Sequence, residues 1–312
     1  MPDRRVLVLG GNGFIGSHVV DQLVADGNDV TVFDRFGVAQ PRFTASGVRM
    51  IDGDFLNAED VTNAVDGIGT VVHLVSTTNP LTAEADPLLD INTNLMGSVA
   101  LFEACAASSS VQRIVFASSG GTVYGNGSGI LSEDSLTQPI SPYGICKLAT
   151  ENYLRFFAAT TKLTSVSLRI ANPYGDRQPL GRNQGVIPIF IERLLKGMPL
   201  TVFGDGTMVR DYLYVTDVAV AISRAVSCAE PHASVYNIGS GVGHSVNDIV
   251  CAIEKALGRT AQIEHREQPR SFAQSVVLDT RRFTDEFGWR PTVSLDEGVA
   301  MTVGYLRNQL GL

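Results

Sequence analysis

Two groups of residues in this chain can do chemistry by type and spacing. Tyr143 and Lys147 stand four apart in Tyr143-Gly144-Ile145-Cys146-Lys147, which puts both on one face if the segment is helical. An isolated phenol is a weak base at neutral pH, whereas an ammonium beside it favours the phenolate and makes a group that can take and return a proton. The pattern alone is common, and in many helices means a packed aromatic and a solvated lysine. Here it follows a strand-like run ending Ala117-Ser118-Ser119, where a hydroxyl can bond the same substrate oxygen. The second group is Gly10-Gly11-Asn12-Gly13-Phe14-Ile15-Gly16. Glycines at this spacing permit a tight turn, let backbone approach a pyrophosphate, and let a helix pack against the preceding strand. The helix start then offers free N–H groups and its positive dipole end to the phosphates. Asp34 ends the next apolar run, where a carboxylate accepts from the adenosine ribose hydroxyls and repels a 2′-phosphate, which favours NAD over NADP. Arg35 beside it pulls the other way. Asp54-Phe55 can flank the adenine, and Asp54 can equally cap a turn or helix.

The elements that must position these residues follow from periodicity. Arg5–Leu9, Asp29–Asp34, Val48–Ile51, Thr70–Leu74, Gln112–Ser118 and Ser165–Ala171 are expected as strands. Between them Phe14–Ala25, Ala58–Val65, Ile91–Ala107 and Pro142–Thr160 carry helical spacing. Alternation of this kind implies a doubly wound parallel sheet, a Rossmann-type α/β domain. After Asn172 the character changes: Pro173–Gly185 is expected as a loop, followed by helices near Ile187–Leu195, Val215–Val226, Val246–Leu257, Thr280–Phe287 and Leu295–Asn308 among short strands. The expected division is 1–172 with about 210–232 as the NAD-binding domain, and 173–209 with 233–312 as a smaller C-terminal α/β substrate lobe.

Composition bounds the partners. Of 312 residues 44% are hydrophobic and 18% charged, enough for a large core. The net charge of -8 repels nucleic acid and anionic membrane, so a phosphate-bearing ligand must be held by local groups. No apolar run approaches the about 18 residues of a membrane span, no targeting segment is read, and the expected setting is the cytoplasm. The four cysteines form no CxxC pair and the five histidines show no metal-ligand spacing, so no metal and no structural disulfide are expected. Cys105 and Cys251 read as small core residues, and His73 as a core histidine.

With these motifs the chain resembles the extended short-chain dehydrogenases/reductases, and within them the nucleotide-sugar epimerases of which UDP-glucose 4-epimerase is typical. Val115–Gly125 (VFASSGGTVYG), Leu168–Gly175 (LRIANPYG), Val202–Val218 and Tyr236–Gly239 (YNIG) also match, in the family's order. The resemblance implies Tyr143 as base and acid at the sugar 4-hydroxyl, Lys147 on the nicotinamide ribose, and Ser119 as the assisting hydroxyl, with Ser118 and Thr122 as alternatives. It implies a cofactor site of Gly10, Gly13, Phe14, Ile15, Gly16, Asp34, Asp54, Phe55, Leu74, Asn94, Lys147 and Pro173, Asn94 having an equally good packing role. It places Ser119, Tyr143, Asn172, Arg210 and Arg270 on the nucleotide-diphosphate sugar, and makes a homodimer through Ile91–Ala107 and Pro142–Thr160 the expected assembly.

Absences sort the branches. Dehydratases and decarboxylases of the superfamily carry an acid just after the strand-end hydroxyl, where this chain has Gly120, Gly121 and Thr122. The reading that follows is 4-epimerisation by transient oxidation, with NAD retained throughout. The alternatives are an NAD(P)-dependent reductase or dehydratase of a nucleotide sugar or other carbonyl, and a non-catalytic dinucleotide-binding protein. Val276, aligned with a bulky tyrosine of some members, is read as a hint of tolerance for N-acetyl groups.

Overall fold

The computed structural model describes residues 3–37, 40–127, 129–181, 185–267 and 273–312. In chain order the first part runs β1 (Arg5–Leu9), α1 (Phe14–Ala25), β2 (Asp29–Asp34), β3 (Arg49–Asp52), α2 (Ala58–Val65), β4 (Thr70–His73), α3 (Pro80–Ala85), α4 (Pro87–Asp90), α5 (Met96–Ala107) and β5 (Arg113–Ser119). It continues through β6 (Ile130–Leu131), α6 (Pro142–Thr160), β7 (Thr164–Ile170) and β8 (Asn172–Tyr174) to α7 (Val186–Leu195), β9 (Leu200–Phe203), β10 (Val209–Tyr214) and α8 (Val215–Ser227). The remainder comprises β11 (Val235–Ile238), β12 (Gly243–Ser245), α9 (Val246–Leu257), β13 (Ile263–Arg266), β14 (Ser275–Leu278), α10 (Arg281–Phe287) and α11 (Leu295–Leu310).

Seven strands form one sheet in the order β11-β7-β5-β4-β1-β2-β3, every pairing parallel. The run Arg5–Leu9 has no polar face because both sides of its strand are covered. Val6 and Val8 enter a core with α1 and α8, while Leu7 and Leu9 enter a second core with α2, α5 and α6. The order reverses between β1 and β4, and ligands of such sheets bind beyond the strand C-termini at that crevice. A second sheet has the order β12-β10-β14-β6 with β8 beside β10; β8, β10 and the β9 strand of the β9–β13 pair join α7, α9 and α11 in a third core, while β14 and β6 pack in a smaller cluster with Val123 and Tyr124.

The structure alters several expectations. Strand β11, inside the span expected for the substrate lobe, is the outer strand of the large sheet: Tyr236 and Ile238 are fully buried in the first core. The expected helix Ile91–Ala107 opens with a wider π-type turn at Ile91–Leu95 before α5. The expected loop Pro173–Gly185 begins within β8, because Leu213 and Tyr214 of β10 offer a partner. Cys251 is exposed on the outer face of α9, whereas Cys105 is buried as expected. His73 is a core histidine: burial pushes it down to about 3, and Nε2 donates to Ser98 Oγ at 2.8 Å.

Candidate active site

A cleft of about 1050 Å³ runs across the C-terminal ends of the large sheet, from the glycine loop to β10. That size is at the upper end for a single small-molecule site. At its cofactor half the close approach demands glycine. Gly10 has φ +79°, and a Cβ on Gly16 would sit 2.1 Å from the Gly10 carbonyl oxygen. Helix α1 has no side-chain cap, so its first-turn N–H groups stay available. Gly10, Gly13, Phe14, Ile15, Gly16, Asp34, Asp54, Phe55, Leu74 and Pro173 all line this cleft. Asp34 accepts from the Asn12 N–H at 2.8 Å and the Arg35 N–H at 2.7 Å. Its burial raises the carboxyl above the ordinary range against those two bonds. Asp54 accepts from Leu56 N–H at 3.0 Å and pairs with Arg35 at 2.6 Å, so it makes a turn as well as facing the cleft. The Arg35 guanidinium lowers the Asp54 carboxyl. These groups fit an adenosine and a pyrophosphate.

The part of the cleft that holds Tyr143, Lys147 and Ser119 is built by the start of α6 against the end of β5. Ser141 caps α6 by accepting from Gly144 N–H at 3.2 Å, with Pro142 in the first turn. Lys147 is buried, donates to the Ala117 carbonyl at 3.0 Å, and lies 5.6 Å from the Tyr143 ring centroid. A Cβ on Gly144 would be 2.7 Å from Thr122 O, so glycine lets the helix press on that segment. Of the three candidate hydroxyls, that of Ser118 donates to Glu151, and Thr122 Oγ1 is shut away from solvent without a partner. Ser119 lines the cleft beside Tyr143, and among the described residues its hydroxyl is not spent on another side chain.

Beneath them lies a buried network that sequence reasoning missed. Glu151, one turn beyond Lys147, takes two bonds from Arg169 Nε at 3.1 and 3.2 Å and one from Nη2 at 2.8 Å. Arg169 Nη1 also donates to the Tyr124 hydroxyl at 3.0 Å, and that hydroxyl donates to Asn237 Oδ1 at 2.7 Å. The available signals were one cation inside the apolar run Ser165–Ala171 and an acid on the Lys147 face of the helix.

At the far end Asn172 and Arg210 line the cleft. Asn172 Nδ2 donates to the Asp211 carbonyl at 3.1 Å. Arg210 donates to the carbonyls of Val209 and Ala273, each at 2.7 Å, and pairs with no carboxylate among the described residues. Burial lowers its pKa, as for a cation whose charge is met only by neutral groups. Met208, Tyr212 and Gln178, not singled out from the sequence, share this wall. Arg270 lies outside the described residues. Asn94, for which a cofactor-side and a packing role were equally open, is buried and is not among the cleft-lining residues, accepting from Thr77 N–H at 2.8 Å and donating to Thr78 and Asp90. Val276 is buried in an apolar cluster with Val123, Tyr124 and Leu278 and is not among the described residues that line the cleft. Among the described residues no cluster could hold a metal ion, and no helix is long and apolar enough to cross a membrane.

Fold and cleft together define a dinucleotide-binding α/β protein whose cleft is lined by Tyr143, Lys147 and Ser119. Residues 6–239 match the model of the NAD dependent epimerase/dehydratase family. The UDP-glucose 4-epimerase of Thermotoga maritima, solved with UDP-glucose, superimposes with a TM-score of 0.92 at 35% identity, covering 98% of this chain and 99% of that one. The UDP-glucose 4-epimerase of Thermus thermophilus, solved with NAD, gives 0.90 at 36% identity over 97% and 99% of the two chains. The dTDP-4-dehydro-6-deoxyglucose reductase of Escherichia coli is 32% identical over 97% of each chain. The chain belongs to the NAD-dependent epimerase/dehydratase family of extended short-chain dehydrogenases/reductases, and NAD is its cofactor.

Proposed function

We propose that the protein is a nucleotide-sugar 4-epimerase acting on UDP-glucose/UDP-galactose or their N-acetyl analogues. The observation that carries this is the layout of one cleft. Tyr143, Lys147 and Ser119 line it together, Arg210 is half-buried with no carboxylate partner among the described residues, and Gly120, Gly121 and Thr122 supply no acid between them. Tyr143 takes the proton of the sugar 4-hydroxyl and later returns it. Ser119 bonds the same oxygen and holds it in line. Lys147, pinned to the Ala117 carbonyl, sits where it can hold a ribose and favour the phenolate. Bound in the other half, NAD supplies the hydride acceptor and donor. Asn172 and Arg210 hold the diphosphate, so the sugar can turn about an anchored end; Arg270 is assigned to the same anion. A missing acid beside Ser119 leaves no group for elimination, which turns the reading from a dehydratase towards an epimerase.

A second reading, a reductase of a nucleotide-linked keto sugar, is favoured by the Escherichia coli relative and uses the same three residues. We assign residues 1–172, about 210–232 and β11 to the cofactor half, and the rest to the sugar half. The cytoplasm is the proposed location, and a homodimer the proposed assembly. Proton NMR of the purified protein with UDP-glucose or UDP-N-acetylglucosamine, no cofactor added, tests the function. Appearance of the 4-epimer without net NADH supports the epimerase. No new anomeric signal even with added NAD sinks the UDP-hexose assignment.

A further inference from the structure

After β8 the chain crosses to α1, the helix whose start faces the cofactor half of the cleft. Gly175 makes the turn: it has φ +139°, and a Cβ there would sit 2.8 Å from the Tyr214 ring. Two contacts then fasten the next residues to one face of α1, since His18 and Asp21 stand three apart on it. His18 Nε2 donates to the Asp176 carbonyl at 2.9 Å. Arg177 Nη2 pairs with Asp21 Oδ2 at 2.8 Å, and with side chains only 18% and 23% exposed this pair is screened less than those at the surface. Asp21 also accepts from the N–H groups of Thr44 and Ala45, each at 2.7 Å. Burial pushes its carboxyl up, but the bonds from Ala45, Arg177 and Thr44 bring it below the ordinary range, so it is charged at neutral pH.

The segment does not hold this shape by its own preference. Arg177 has φ +64°, alone among the described non-glycine residues in the left-handed region. Arg177 Nη1 and Gln178 Oε1 are buried with no hydrogen-bond partner. Both features are costly and persist only where surrounding contacts impose them. Gln178 and Pro179, directly after the pair, line the same cleft as the glycine loop, whereas Asp21 and Arg177 do not.

We propose that residues 175–179 are a strap on the cleft, latched to α1 by the Asp21–Arg177 pair, and that this latch sets how long the dinucleotide stays bound. Asp21 and Arg177 are positioning residues, acting through where Gln178 and Pro179 lie. A 4-epimerase must keep its reduced cofactor while the sugar turns between two hydride transfers; that need, though not the latch, rests on the function proposed above. Because the strap is strained in itself, weakening the pair lets it leave the cleft.

The test reads cofactor release, independently of turnover. Wild type, Asp21→Asn, Arg177→Gly, Arg177→Lys and the double variant Asp21→Asn/Arg177→Gly are loaded with radiolabelled NAD, desalted, and chased with excess unlabelled NAD. The label still bound is counted over time, with a melting curve to show each variant folded. Glycine keeps the left-handed turn while deleting the guanidinium, and lysine keeps the cation. Asp21→Asn and Arg177→Gly are each expected to speed release at least about tenfold, the scale of one charge-assisted bond. The double variant should be no faster than either, because the two side chains make one contact, and Arg177→Lys should stay nearer wild type. Unchanged release in both single variants overturns the strap. So does a double variant whose fold-change is the product of the two single ones, since the residues then act separately. If wild type holds the label and the variants lose it, yet NMR finds no 4-epimer, the strap stands and the epimerase reading falls.

Discussion

At the residue scale, the proton-transfer role proposed for Tyr143 can be tested apart from the packing roles around it. Tyr143→Phe keeps the ring and removes the transferable proton, so epimerisation is expected to fall about 10²–10⁴-fold with the melting temperature unchanged, followed by NMR turnover. Ser119→Ala should also slow turnover, whereas Thr122→Val, at a hydroxyl shut away from solvent, should not. His73 makes the clearest pH prediction. Above its ordinary value of 6.5 the imidazole is neutral in both folded and unfolded chains, and nothing is lost. Below that the unfolded chain binds a proton that the folded chain refuses until about 3, so stability falls as pH drops through that window. His73→Gln should flatten this acid limb, seen as a smaller difference between urea midpoints at about pH 5 and about pH 7.5. The Tyr143–Lys147 spacing was legible because one helical turn is a local rule. The choice among Ser118, Ser119 and Thr122 was not, since adjacent residues differ only in where the strand end points them.

At the element scale, α6 and the sheet floor are joined by charge as much as by apolar packing. Glu151 on α6, Ser118 on β5 and Arg169 on β7 share one buried cluster, which ties the helix carrying Tyr143 and Lys147 to the strand carrying Ser119. Breaking such a pair leaves a buried charge alone, so Glu151→Gln is expected to cost about 3–5 kcal/mol in a denaturant melt. Helices α1, α2, α6 and α9 begin and end where periodicity places them, because caps and turn residues act within a few positions of themselves. Strands β6, β8 and β12 were unreadable. Each has two or three residues, and exists only because β14 or β10 lies alongside.

At the scale of the whole molecule, the helices flanking the reactive end leave apolar side chains in water. Leu88, Leu89 and Ile91 near α4, Met96 on α5, and Ile145, Tyr153 and Phe156 on α6 are all exposed in the single chain. Scattered exposed apolar residues are ordinary, whereas a group of them on neighbouring helices is what the proposed homodimer calls for. The proposed homodimer would bury them, so Phe156→Glu is expected to halve the mass seen by light scattering. By itself the sequence determined the parallel α/β architecture, the glycine turn and the placing of Tyr143 and Lys147 one turn apart on a single helix, because each depends on period, cap or spacing within one or two elements. Only the tertiary structure decided which serine is free, that Asn94 and Val276 stand off the cleft, that β11 joins the large sheet, and that Arg177 meets Asp21. Those outcomes depend on contacts between residues far apart in the chain, where the same residue type can be buried, paired or free according to what folds against it.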